Sequence, residues 1–220
     1  MKKISSQAEA SPAPARKARG RPRSFDRDSA LESAMKVFWE KGYEAASISD
    51  LTEAMGINPP SLYSAFGDKE TLFLEALRRY MEEGAQACPY ACEATAKEAI
   101  HCLLTHKANV LCGADHPRGC MMALTGATTG FSAEIEKAMD KMRASAKAGV
   151  KARIEQGIRD GDVPEGTDPG VLADFVHTIV VGMSMLARKG ATRKSLLATV
   201  DQAMRAWPEV KSKRKSMAAA

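Results

Sequence analysis

The stretch that decides the fold is Ala54–Glu70, AMGINPPSLYSAFGDKE. Pro59 and Pro60 stand together in front of SLYSAF, which otherwise reads as helix. A proline pair is normally a breaker. At the first two positions of a helix it is not, because no backbone N–H there has an intrahelical partner and the fixed φ is already helical. With Asn58 as N-cap, Pro59 and Pro60 fill those two positions. The Asn58 side chain then has one natural target, the N–H of Ser61. Ile57 before the cap can pack on Leu62 as a hydrophobic staple. The spacing predicts a short helix over 59–66, with Leu62 and Phe66 inward, Pro60, Ser61, Tyr63 and Ser64 outward, and Gly67 closing it.

Working outward, SISD from Ser47 reads as a capping box for a second helix, with Asp50 in place of the more usual Glu or Gln. Ile48, Leu51, Ala54 and Met55 form its expected buried stripe, and Gly56 suits a left-handed C-cap. Upstream, Asp26 or Asp28 caps a first helix whose inward face is Leu31, Ala34, Met35 and Phe38, spaced i, i+3, i+4, i+7; Gly42 ends it. Downstream, a fourth helix starts at Asp68 and carries Leu72, Phe73, Ala76, Leu77 and Tyr80 on one face. Two short helices joined around a glycine make a helix-turn-helix, whose second helix enters the DNA major groove.

The remainder is helical in longer pieces, expected near 91–112, 118–128, 132–160, 169–189 and 192–206, with EGTDPG and RKGAT as breaks. The expected fold is all-α, about nine helices, with no alternating strand pattern. The expected domains are a disordered basic arm (1–24), a helix-turn-helix DNA-binding domain (25–85), a larger helical domain (86–208) and a disordered basic tail (209–220). The piece from Gly170 is apolar nearly all round, as expected of a helix buried on more than one side.

Charge is unevenly spread over the 220 residues, whose net is +5. Residues 1–27 hold eight basic side chains against two acidic ones, and the last ten hold four basic and none acidic. The body between is therefore acidic, a pattern of basic arms that meet a polyanion. Five cysteines, an odd number without a C-x-x-C, and a start lacking an apolar leader core suggest reduced thiols in the cytoplasm. The longest apolar run, FVHTIVVGMSML, is shorter than a bilayer span, so no membrane partner is expected. No nucleophile–base pair, phosphate loop or standard zinc spacing is present, which argues against an enzyme, a cofactor or a metal.

The order KGY, SISDL, AMGI, SLYSAF, GDKE, TLF within Phe25–Tyr80 resembles the DNA-binding domain of the TetR family of bacterial transcriptional regulators. The segment TDPGVLADFVHTIVVGMSMLARKGATRKSLLATVDQAMRAW is similar to that family's two dimer-forming helices. The resemblance implies a homodimer reading a near-palindromic operator, most often a repressor, released by a small effector in the C-terminal domain. It implies DNA contact through Ser47, Asn58, Pro59, Pro60, Ser61, Tyr63, Ser64 and Lys69, and a dimer seam from Val171, Phe175, Ile179, Met183, Leu196, Val200 and Met204.

Three further features are candidates. RGRPR, with Arg19, Arg21 and Arg23, resembles the minor-groove finger of AT-rich DNA binders, whose arginines seek a narrow groove's negative potential. Cys120, beginning a helix behind Pro117 and Gly119 beside Arg118, is a candidate reactive thiol, so a redox- or electrophile-sensing regulator is the alternative reading. Met121 and His177 are candidate effector contacts. An architectural DNA binder is a further rival, disfavoured by the large acidic second half.

Overall fold

The computed structural model describes residues 25–86, 93–125 and 131–210, and for Ala85 and Gln86 the backbone only. Among these residues there are nine α-helices and no strand: α1 Arg27–Lys41, α2 Ile48–Met55, α3 Pro59–Phe66, α4 Lys69–Gln86, α5 Ala96–Val110, α6 Met121–Thr125, α7 Ala133–Asp160, α8 Pro169–Arg188 and α9 Arg193–Arg205.

The first four helices begin and end where the sequence signals put them. Asp26 caps α1 through the Ser29 N–H, and Gly42 ends it. The Ser47–Asp50 capping box is complete, and Gly56 at φ 64° closes α2 in the left-handed region. Asp68 receives the Thr71 N–H at 2.7 Å ahead of α4. The predicted inward face of α1 is buried throughout. In α2 the stripe is shifted: Ala54 is exposed and Thr52 is buried in its place. Thr52 can go inside because its hydroxyl donates to the Ile48 carbonyl at 2.9 Å, so no polar group is stranded.

Later boundaries move inward from the expected ones. Thr95 and Glu98 form a capping box that starts α5 at Ala96 rather than near residue 91. The fourth-last helix, α6, begins at Met121, leaving Cys120 in front of it.

Two hydrophobic clusters organise the packing. One gathers α1–α4 around Phe38, Leu51, Leu62, Leu72, Phe73 and Leu77, and it also takes in Met121, Met122, Ile135 and Met139 from α6 and the start of α7. The other joins α5, α7, α8 and α9 around Ile100, Leu104, Ile154, Met183, Leu196 and Trp207. Cys120 packs against both. By length and composition α8 is apolar enough to cross a membrane; here it packs against α5, α6, α7 and α9.

Candidate nucleic-acid interface

Helix α3 is built as its sequence demands. The Asn58 side-chain carbonyl accepts the Ser61 N–H at 2.9 Å, and Pro59 and Pro60 occupy the first two helical positions. The Leu62 N–H goes to the Asn58 main-chain carbonyl at 3.1 Å. Every N–H at this helix start is thus absent or already bonded, so the N-terminus offers nothing to a phosphate. Leu62 and Phe66 are buried, while Pro59, Pro60, Tyr63 and Ser64 are exposed and Ser61 is half-buried. Tyr63 is 50% exposed, a large ring left on the surface of a domain whose other aromatics are packed. The helix carries no charged side chain.

Its C-terminal end is clamped by an arginine. Arg27 donates through Nη2 to the Ala65 carbonyl at 3.3 Å and to Glu75 at 2.7 Å, and its guanidinium lies 4.4 Å from the Phe66 ring centre. One arginine therefore ties the starts of α1 and α4 to the end of α3. Lys41 pairs with Asp50 at 2.6 Å, fixing α2 on the end of α1. The Lys41 ammonium, with the Ser47 N–H and hydroxyl, holds the Asp50 carboxyl well below the usual carboxylate range.

The flanking candidates are less free than a solvated side chain. Lys69 lies with its ammonium 4.6 Å from the Tyr43 ring centre and 3.4 Å from the Glu44 carbonyl. It is a held cation beside α3, where a phosphate could add to its partners. The Ser47 hydroxyl donates to Asp50 and accepts the Asp50 N–H, so it must give up part of the capping box to bond a phosphate. Arg19, Arg21 and Arg23 lie outside the described residues.

A groove of about 500 Å³ runs between α2 and the start of α3, lined by Phe25, Ser49, Thr52, Glu53, Gly56, Ile57, Asn58 and Ser61. Ser49 and Phe25 were not foreseen. Ser49 was legible as the polar residue two places after the capping serine; Phe25 reaches the groove only through tertiary packing.

In the second half, a cavity of about 150 Å³ is lined by Cys120, Met122, Ala123, Arg143, His177, Val180 and Val181. It brings Cys120 and His177 together as candidates, but Met121 turns into the first core at 1% exposure and Met122 lines the cavity instead. His177 is exposed at the wall, not set in a core. The Arg118 guanidinium donates to the Ala187 and Ala191 carbonyls and lies 3.5 Å from the Cys112 sulfur. Cys102, Cys112 and Cys120 are free thiols. Among the described residues no three His, Cys, Asp or Glu side chains gather as a metal site.

The expected dimer residues also divide. Met183, Leu196 and Val200 are buried within the subunit at 1%, 0% and 1% exposure, and so cannot meet a partner. Val171 is 66% exposed, and Phe175, Ile179 and Met204 are half-buried. Met185 and Leu186, exposed at 37% and 46%, extend the Val171–Phe175–Ile179 face along α8.

Comparison with known proteins places this geometry. Residues 30–76 match the profile of bacterial regulatory proteins of the tetR family. The HTH-type transcriptional repressor ComR of Escherichia coli (strain K12) is 36% identical over 199 residues, covering 89% of this chain and 95% of that one. The uncharacterized HTH-type transcriptional regulator YezE of Bacillus subtilis (strain 168) is 30% identical over 190 residues, covering 83% and 96%. Among solved structures, a cysteine mutant of the TetR family transcriptional regulator CifR complexed with 26-bp double-strand operator DNA superposes with a TM-score of 0.82. It shares 41% identity and covers 86% of this chain and all of that one.

Proposed function

The chain belongs to the tetR family of bacterial regulatory proteins, and from that premise we propose that it is a homodimeric transcriptional repressor. It binds a palindromic double-stranded operator with one helix-turn-helix per subunit and lets go when a small molecule enters the second half. The observation that carries this reading is α3: a capped, uncharged helix with Pro59, Pro60, Tyr63 and Ser64 exposed beside the held cation of Lys69. Support also comes from the similarity to CifR, which has been solved on operator DNA.

In this reading residues 25–85 are the DNA-binding domain and 86–208 the effector and dimerisation domain. The basic ends, 1–24 with Arg19, Arg21 and Arg23 and 209–220, add salt-dependent affinity. Asn58 acts by holding the helix start; Ser61, Tyr63, Ser64 and the proline rings meet base edges and backbone, and Lys69 and Ser47 meet phosphates. The dimer seam is the α8 face of Val171, Phe175, Ile179, Met185 and Leu186, joined by Met204 of α9. The site of action is the cytoplasm, on the nucleoid. Footprinting on the DNA next to the chain's own coding region tests the proposal: a discrete two-half-site footprint is expected, and sequence-blind coating would instead mark an architectural binder.

A second reading is favoured by the position of Cys120, on a cavity and against both cores. Added mass on this thiol would wedge the two halves apart, making it a redox or electrophile switch. Loss of operator binding after peroxide that persists in Cys120→Ser would remove that reading.

A further inference from the structure

Arg153, on α7, is 5% exposed. Its Nη2 donates to the Glu93 carbonyl at 3.2 Å, while Nε and Nη1 are buried without a hydrogen-bond partner. Three N–H bonds of a permanent cation therefore lack an acceptor. No Asp or Glu oxygen lies within 4.0 Å of this guanidinium among the described residues. Asp162, just past the end of α7, accepts the Ala96 N–H at 3.1 and 3.3 Å. Between α4 and α5, residues 87–92 read ACPYAC, and the one acid of the connection, Glu93, meets Arg153 through its main-chain carbonyl.

A buried cation with no counter-ion is strongly unfavourable, and arginine cannot relieve it by losing its proton. A second buried donor in the same core is also unpartnered, the Trp207 indole N–H. Both residues attach to the start of α5: Arg153 through the Glu93 carbonyl, and the chain just past Trp207 through the Glu209–Lys97 pair at 3.0 Å. The unmet groups here are donors only. A ligand that satisfies them must accept hydrogen bonds and carry negative charge.

We infer that the second core holds an oxyanion site at Arg153, taking the carboxylate or phosphate of a small molecule. The inference rests on reading residues 86–208 as the effector domain and gives that effector a charge and a chemical class. Arg153 lies ten residues along α7 from Arg143, about 15 Å in a helix, so the site is distinct from the Cys120 cavity.

The test is thermal unfolding of the full chain and of Arg153→Met, in chloride buffer and with sodium benzoate or sodium phosphate at matched ionic strength. Benzoate or phosphate is expected to raise the midpoint of the native chain by about 5 °C near saturation. Neither should move Arg153→Met, whose own midpoint in chloride should equal or exceed the native one because an unpaired buried charge is gone. A shift with benzoate alone identifies an organic carboxylate, and one with phosphate alone identifies a phosphate. Should Arg153→Met fail to fold, Arg153→Gln serves as the uncharged variant. Equal shifts in native and variant, or no shift in either, would overturn the site. Operator binding of the native chain in chloride is measured separately: its absence sinks the repressor reading, whereas DNA binding without an anion shift sinks the oxyanion site alone.

Discussion

The indole N–H of Trp39 donates to the main-chain carbonyl of Gly119 at 3.1 Å, a buried bond between residues 80 apart in sequence. The same ring stacks on His116 at 4.7 Å and meets Tyr80 edge-on at 4.9 Å. Gly119 sits at φ +89°, and a Cβ there would come within 3.1 Å of the Ser184 carbonyl, so the loop lies flat against α8. The next residue, Cys120, gives its N–H to the Ser184 hydroxyl at 2.7 Å. A second link runs parallel, from Arg188 of α8 to Glu40 of α1 at 3.1 Å. Displacements of α8 therefore reach α1 through two short connections.

Trp39→Phe keeps a ring in place but strands the Gly119 carbonyl. The expected cost is about 1–3 kcal/mol of stability. Denaturant titration reads it, and an unchanged midpoint would show that water replaces the lost donor.

Two changes at Asn58 separate folding from recognition. Asn58→Ala removes the cap of α3 and should cost about 1 kcal/mol. Asn58→Asp keeps a capping oxygen and favours the helix dipole, yet faces the phosphates with a negative charge. It should leave the unfolding midpoint near native while lowering operator affinity about tenfold or more. Equal operator affinities for Asp and Asn would mean that this helix start does not approach DNA.

Tyr63→Ala tests the exposed ring directly. Because the side chain is half in solvent, stability should change by less than about 0.5 kcal/mol. Operator affinity should fall by about 1–3 kcal/mol, seen in a gel-shift titration; full affinity would remove Tyr63 from the interface.

Acid should loosen the helix-turn-helix through its caps. The Asp50 carboxyl is lowered chiefly by Lys41, and those of Asp26 and Asp68 by the backbone N–H groups they accept. A depressed carboxyl contributes stability above its unfolded value, about 4, and loses it as pH falls further. Asp50→Asn should therefore lie furthest below the native midpoint at neutral pH, and the gap should begin to narrow only below about pH 4 and keep narrowing as the solution is made more acid. A gap that stays constant would contradict the Lys41 pairing.

On the outer face of α8, Leu186→Glu adds charge where Val171, Phe175 and Ile179 continue the apolar surface. Light scattering should show a shift from dimer to monomer with helicity retained. A dimer that persists at micromolar concentration would move the seam elsewhere.

How much of this was legible depends on how local each cause was. The caps at Asp26, Ser47 and Asn58, the prolines at 59 and 60 and the left-handed Gly56 each act within four residues, and the sequence spells them out. The burial of Thr52 in place of Ala54 was not visible, since it depends on a hydroxyl folding back on its own helix. The α5 boundary was visible and overlooked, because T-A-K-E from Thr95 is itself a capping box. The faces of α8 were illegible for a physical reason: with apolar residues nearly all round, periodicity cannot say which side meets α7 and which meets solvent. So Met183 turned inward and Leu186 outward. The orphaned guanidinium of Arg153 was equally hidden, since nothing in its local sequence distinguishes it from a solvated base.

Met121, Met122, Ile135 and Met139 complete the core of the first four helices from far downstream. A fragment ending at residue 86 would lose those side chains and leave raw apolar surface on α1 and α4. The first four helices therefore share their core with the second half, and heat or denaturant should melt both in one cooperative step. Any molecule that tightens the second half should then also protect the first against proteolysis.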